Sequence, residues 1–247
     1  AGTAPVRQRH AARWAMAACV ALLTVTCGGW FLGSDTAQFE TPHGTPQQWI
    51  LADGSQLQLD ADSRVTIYFS PLQRRLDVQR GRAAFVVAEG WRPFEVQAAG
   101  LRVRDIGTTF SVSLQRELAR VDVLEGRVQV RAEVDPRVLA DIGAGQSARI
   151  AYRDHRVELR EEAPAAISGW WQGRIAFHDE ALRDVVDQFN RRNKQQVVLE
   201  DAQAGSLRLS GNLRAEGFEA LAAYLQAQPA LEVRGTAGGI HVRSRRQ

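Results

Sequence analysis

From about residue 46 to residue 159 apolar side chains return at every second position, and glycine-bearing turns interrupt them roughly every ten residues. Leu57, Leu59, Val65, Ile67, Leu76, Val78, Phe85, Val87, Phe94 and Val96 carry this rhythm first. Val103, Phe110, Val112, Val121, Val123, Val128 and Val130 continue it. The breaks fall at Asp53-Gly54, Arg80-Gly81, Glu89-Gly90, Ala99-Gly100, Glu125-Gly126 and Gly143-Ala144-Gly145. Period two places alternate side chains on one face, so this stretch is confined to short strands with a single buried side. An all-β domain follows, sandwich or solenoid-like, and the pattern does not choose between them.

After Glu161-Glu162-Ala163-Pro164 the period changes. Ile175–Phe177 reads as a strand, and Asp179 is placed to cap a helix running to about Arg192, with Leu182, Val185, Val186 and Phe189 on one face. Strands are expected at 197–199, 207–209, 231–233 and 240–242, and a second helix near 215–227. The order β-α-β-β-α-β-β describes a small α+β domain over 161–247.

Residues 14–33 form a 20-residue stretch without a charge, bounded by Trp14 and Trp30. At 1.5 Å per residue it is ~30 Å long, the thickness of a bilayer's hydrocarbon core. Arg7, Arg9 and Arg13 precede it, while Asp35 and Glu40 follow. This asymmetry predicts a single transmembrane helix with a short cytoplasmic tail (1–13), a linker (34–44), and a periplasmic remainder anchored in the inner membrane. A cleaved signal peptide is the rival, disfavoured by the length of the run and the lack of a small-x-small cleavage site.

Charge and cysteine content narrow the chemistry. The net charge of +3 equals the three arginines of the tail, and the other 28 basic and 28 acidic residues cancel. The basic pI therefore reports the tail and not a nucleic-acid-binding face. Both cysteines, Cys19 and Cys27, lie in the apolar stretch, which excludes a disulfide framework in the body. Five scattered histidines supply no spaced ligand pair, so neither metal nor cofactor is expected.

Five blocks, in order, resemble the FecR family of periplasmic regulators of extracytoplasmic-function (ECF) sigma factors. They are Ile50-Leu51-Ala52-Asp53-Gly54-Ser55, Gly81-Arg82-Ala83, Arg92-Pro93-Phe94-Glu95-Val96, Ile106-Gly107-Thr108-Thr109-Phe110 and Val123-Leu124-Glu125-Gly126-Arg127-Val128. The C-terminal part resembles an STN domain, through Trp171-Gln172-Gly173-Arg174-Ile175-Ala176-Phe177, Phe189-Asn190-Arg191 and Leu209-Ser210-Gly211. Two positions depart from the pattern: Arg82 where the family often has Glu, and Asp60 where Asn is usual. The family's cytoplasmic sigma-binding domain is missing ahead of residue 14.

The resemblance implies an anti-sigma factor. It would relay a signal from a ligand-loaded TonB-dependent outer-membrane transporter of the iron-siderophore kind, whose signalling domain it meets, to an ECF sigma factor. Membrane-embedded and periplasmic proteases would carry the message. It also points to Gly107-Thr108 as a self-cleavage site, with Thr108 Oγ as nucleophile and the Gly107 carbonyl as electrophile. The sequence names no general base, Asp105 being only a nearby guess, and no other enzymatic activity is expected. The alternatives are a protein whose main activity is that self-cleavage, and a non-signalling envelope scaffold binding glycan. Trp170-Trp171 is read as a plug between domains in preference to an exposed anchor. Arg191, Arg192 and Lys194 are read as a solvated helix end.

Overall fold

The computed structural model describes residues 35–245 except 106 and 136. Among them no helix is long and apolar enough to cross a membrane. The segment 14–33, expected to do so, lies outside the described residues.

The alternating stretch, with residues 35–40 ahead of it, folds into two seven-stranded sheets packed face to face. One has the order β1 (Asp35–Glu40), β4 (Arg64–Phe69), β5 (Arg74–Arg80), β7 (Phe94–Ala98), β8 (Leu101–Asp105), β11 (Arg127–Ala132), β12 (Val138–Gly143). The other has the order β14 (Val157–Glu161), β13 (Gln146–Ala151), β10 (Leu118–Glu125), β9 (Thr109–Leu114), β6 (Arg82–Val86), β3 (Gln56–Leu59), β2 (Gln47–Ile50). Inward side chains of both sheets meet in one core, where Phe85, Phe94 and Phe110 stack with centroids 5.2–6.4 Å apart. Of the side chains named from the alternation, all are buried except Val87, which packs on the core's margin. Burial of each Phe contributes ~2–3 kcal/mol. The architecture is a sandwich, because both sheets bury one face against the other.

Hairpins within a sheet and crossovers between the sheets together collect the turns at the two ends. Asp35, the 51–55 turn, the 70–73 turn, the 87–93 loop and Gly107-Thr108 share one end. The 41–46 loop, the 60–63 turn, Gly81 and the 115–117 turn share the other. Gly81 has φ +81, and a Cβ there would overlap Ser63, so the crossover from β5 to β6 needs glycine.

Two sequence expectations change. The linker assigned to 34–44 contains β1, which pairs with β4 from Asp35↔Phe69 to Glu40↔Arg64. Asp179 is not a helix cap: it belongs to β15 (Arg174–Ala181), at a bulge with φ +46, and its carboxylate meets Arg208 and Arg160. The helix α2 (Leu182–Arg192) starts three residues later from Ala181, with no side-chain cap.

The C-terminal module opens with α1 (Pro164–Ser168) and a 3-10 turn, Gly169–Gln172. After β15 and α2 come β16 (Gln196–Leu199), α3 (Ala202–Ser206), β17 (Arg208–Arg214), α4 (Phe218–Gln226), β18 (Leu231–Thr236) and β19 (Gly239–Ser244). β15 pairs with β17, while β16, β19 and β18 make a second small sheet. Leu182, Val185, Val186, Phe189, Leu221 and Leu225 fill a separate core, as their spacing requires.

Candidate functional site

The Gly107-Thr108 peptide lies in the crossover from β8 to β9, at the end of the sandwich where Asp35 enters. Gly107 is exposed with φ +75, whereas Thr108 is buried. Thr108 Oγ donates a hydrogen bond to an Asp105 carboxylate oxygen. Burial raises the Asp105 pKa, and hydrogen bonding and Arg74 offset the rise only in part. A carboxylate with a raised pKa is the better proton acceptor. The Thr108 carbonyl accepts from Val87 N–H at 3.1 Å, which pins the residue into the sheet. Gly126, at φ +79, lies over the pair, and a Cβ there would overlap the Gly107 carbonyl oxygen. The structure therefore brings Gly107, Thr108 and Asp105 together around one peptide bond.

A second constellation joins the sandwich to the module. Asp122 on β10 is fully buried. It accepts from Arg120 Nε at 2.7 Å, Arg82 Nη2 at 2.9 Å, Ser147 Oγ at 2.7 Å and Ser111 Oγ at 3.2 Å. Burial pushes its carboxyl pKa upward, but the two arginines and the hydroxyl win and hold it down at about 2. Burial lowers Arg82 to about 10. Arg120 is raised, since Asp122 and Glu180 outweigh its desolvation. From the module, Glu180 enters this arginine cluster. Its Oε1 accepts from Gln115 at 3.1 Å and Gln188 at 3.0 Å, and its Oε2 lies 3.7 Å from Arg120 and 3.8 Å from Arg149.

Trp170 completes the junction. It is buried, the Arg82 guanidinium sits 4.7 Å from its ring centroid, and its carbonyl accepts from Arg192 Nη2 at 2.9 Å. It is the plug that the double tryptophan predicts. Arg192 is not the solvated helix end expected of it: the last turn of α2 presses on the 60–63 turn, and Arg192 Nε donates to Asp60 at 2.6 Å with both side chains buried. Gly44 N–H donates to the Arg191 carbonyl, and His43 Nε2 lies 3.0 Å from the Asn193 carbonyl. Both departures from the FecR pattern, Asp60 and Arg82, thus sit in this junction. Their partners Arg192 and Asp122 stand 132 and 40 residues away in the chain, a pairing that no local spacing signals.

Residues 37–129 match the family model described as FecR protein. This stretch is similar to the FecR family. Two crystal structures of a proposed anti-sigma factor from Parabacteroides distasonis ATCC 8503, at 2.50 Å and 1.65 Å, share the fold. Each has a TM-score of 0.76 at 21% identity and is covered along 100% of its length, by 86% and 85% of this chain. No curated protein matches the chain. The fold likeness extends beyond residues 37–129, and hence into the module.

Proposed function

We propose that this chain regulates an ECF sigma factor from the envelope, as a single-pass inner-membrane protein with its sandwich and module in the periplasm. The FecR match over residues 37–129 carries the reading, and the fold shared with the proposed anti-sigma factor supports it. In this reading the module is an STN domain that receives the signalling domain of a TonB-dependent transporter. Its strand order supports the assignment. Its small sheets leave β16 and β18 as edges, where a partner strand can add. The module grips the sandwich at the end opposite Asp35. A single helix relays small movements poorly, so proteolysis near 14–33 releases the signal. The test is capture of a purified transporter signalling domain by the detergent-solubilised chain, with a sigma-dependent reporter. Capture with an inducible reporter supports the relay; a reporter indifferent to deletion of the gene refutes it.

A second reading, self-cleavage, is favoured by the Thr108–Asp105 hydrogen bond. Thr108 Oγ attacks the Gly107 carbonyl carbon and gives its proton to Asp105. Asp105 returns the proton to the amide nitrogen as the C–N bond breaks, leaving an ester. Water then hydrolyses the ester to a Gly107 carboxylate and a free Thr108 hydroxyl and amine. Two fragments on a denaturing gel, lost in Thr108→Ala, are expected; one intact band from the wild type would exclude cleavage.

A further inference from the structure

The end of the sandwich at which β1 begins carries four exposed large apolar side chains: Ile50 (78% exposed), Leu72 (62%), Val86 (38%) and Trp91 (75%). Ile50 and Val86 flank Gln56 across β2, β3 and β6, on the outer face of their sheet. Leu72 and Trp91 stand on the two loops that close the end.

These loops are rigidly tied. Arg74 is buried, and its Nη1 donates to Asp53 at 2.9 Å and to the Ala88 carbonyl at 3.0 Å. Its Nε and Nη2 reach the Arg92 carbonyl at 3.2 and 2.8 Å. Arg92 Nη1 in turn donates to the Ser70 carbonyl at 2.9 Å. The 51–55 turn, the 70–73 turn and the 87–93 loop therefore form one braced tip, whose backbone needs little further ordering to present its apolar side chains. A soluble surface rarely gathers such residues without an occupant.

The chain itself indicates the occupant. The uncharged segment ends at Gly33, and β1 starts at Asp35 at this same end, opposite Phe69. Two residues span at most ~7 Å, so no free linker separates a membrane-inserted segment from the tip. We propose that the tip is a membrane-contact surface, with Trp91 and Leu72 seated in the interfacial layer of the phospholipid bilayer; this rests on the reading of 14–33 as a membrane span. Indole rings favour that layer. Arg74 and Arg92 are spent inside the tip, and the exposed charges at this end, Asp35, Glu89 and Glu125 against Arg104 and Arg127, do not make a basic face. Apolar insertion therefore drives the contact, which does not require anionic lipid and resists salt.

The test uses the full chain in nanodiscs of brominated phosphatidylcholine, a short-range quencher of tryptophan. In the wild type, quenching reports Trp14, Trp30 and Trp91 together. In W14F/W30F it is expected to persist, unchanged by salt, and to fall to background when W91F is added. Quenching in the wild type but not in W14F/W30F would overturn the membrane-contact surface and leave the membrane span standing, with the tip facing solvent, a second copy or another protein. Equal quenching with and without W91F would overturn it too. No quenching in the wild type would remove the span, and the proposal with it.

Discussion

Asp60 and Arg192 show how one pair of side chains can hold two folding units in register. Each is nearly inaccessible, so removing one leaves the other as an uncompensated buried charge. Asp60→Ala or Arg192→Ala should cost about 3–5 kcal/mol in urea unfolding, whereas Asp60→Asn, which keeps an acceptor, should cost less. Titration gives a second expectation with two opposite signs. Asp122 is held at about 2, below its ordinary value of 3.8. Its stabilisation is complete above that ordinary value and disappears as pH falls towards 2. Asp184 is pushed up to about 6, first by burial and then by Glu180. The fold keeps that proton longer than the unfolded chain does, so this contribution is present below 3.8 and is lost as pH rises to 6. Urea midpoints between pH 4 and 6 should flatten in Asp184→Asn.

Among the elements, the 3-10 turn bearing Trp170 and the crossover under Gly126 are the most exacting. Trp170→Ala empties the plug and strips Arg82 of its aromatic partner; a loss of about 3–5 kcal/mol is expected by calorimetry or denaturant melts. Gly126→Ala combines a positive φ with overlap on the Gly107 carbonyl and should lower the melting temperature by several degrees at ~1–3 kcal/mol. The strands were legible in the sequence because each buries one face, and Leu57, Phe85 and Val121 show the alternation that results. β1 was not: its sequence DTAQFE lies at an edge, mostly exposed, and carries no such pattern. The α2 start differs because Asp179 sits at a bulge inside β15, which carries the strand on to Ala181 before the helix begins. Gly107 and Thr108 stood out by motif, and Asp105 by proximity alone, but the hydrogen bond between Thr108 and Asp105 depends on how the crossover turns. The arginine junction was invisible, since its members are scattered from Asp60 to Arg192.

For the whole molecule, the two units are joined by charge and aromatic contact more than by a shared apolar core. The sandwich and the module each close their own cluster. Glu180 is the module's acid within the sandwich's arginines, so Glu180→Ala leaves Arg120 and Arg149 short of a partner. Limited proteolysis should then cut faster between residues 162 and 173; equal cutting rates would mean that Trp170 and Arg192 suffice. The strand β1 runs the full height between the entry at Asp35 and the 41–46 loop, whose Gly44 holds the module through the Arg191 carbonyl. Tension between the two ends would act along β1 and across its ladder to β4, loading those bonds in shear together and not one after another. The path from entry to module is thus a stiff mechanical element, which transmits a pull before it yields.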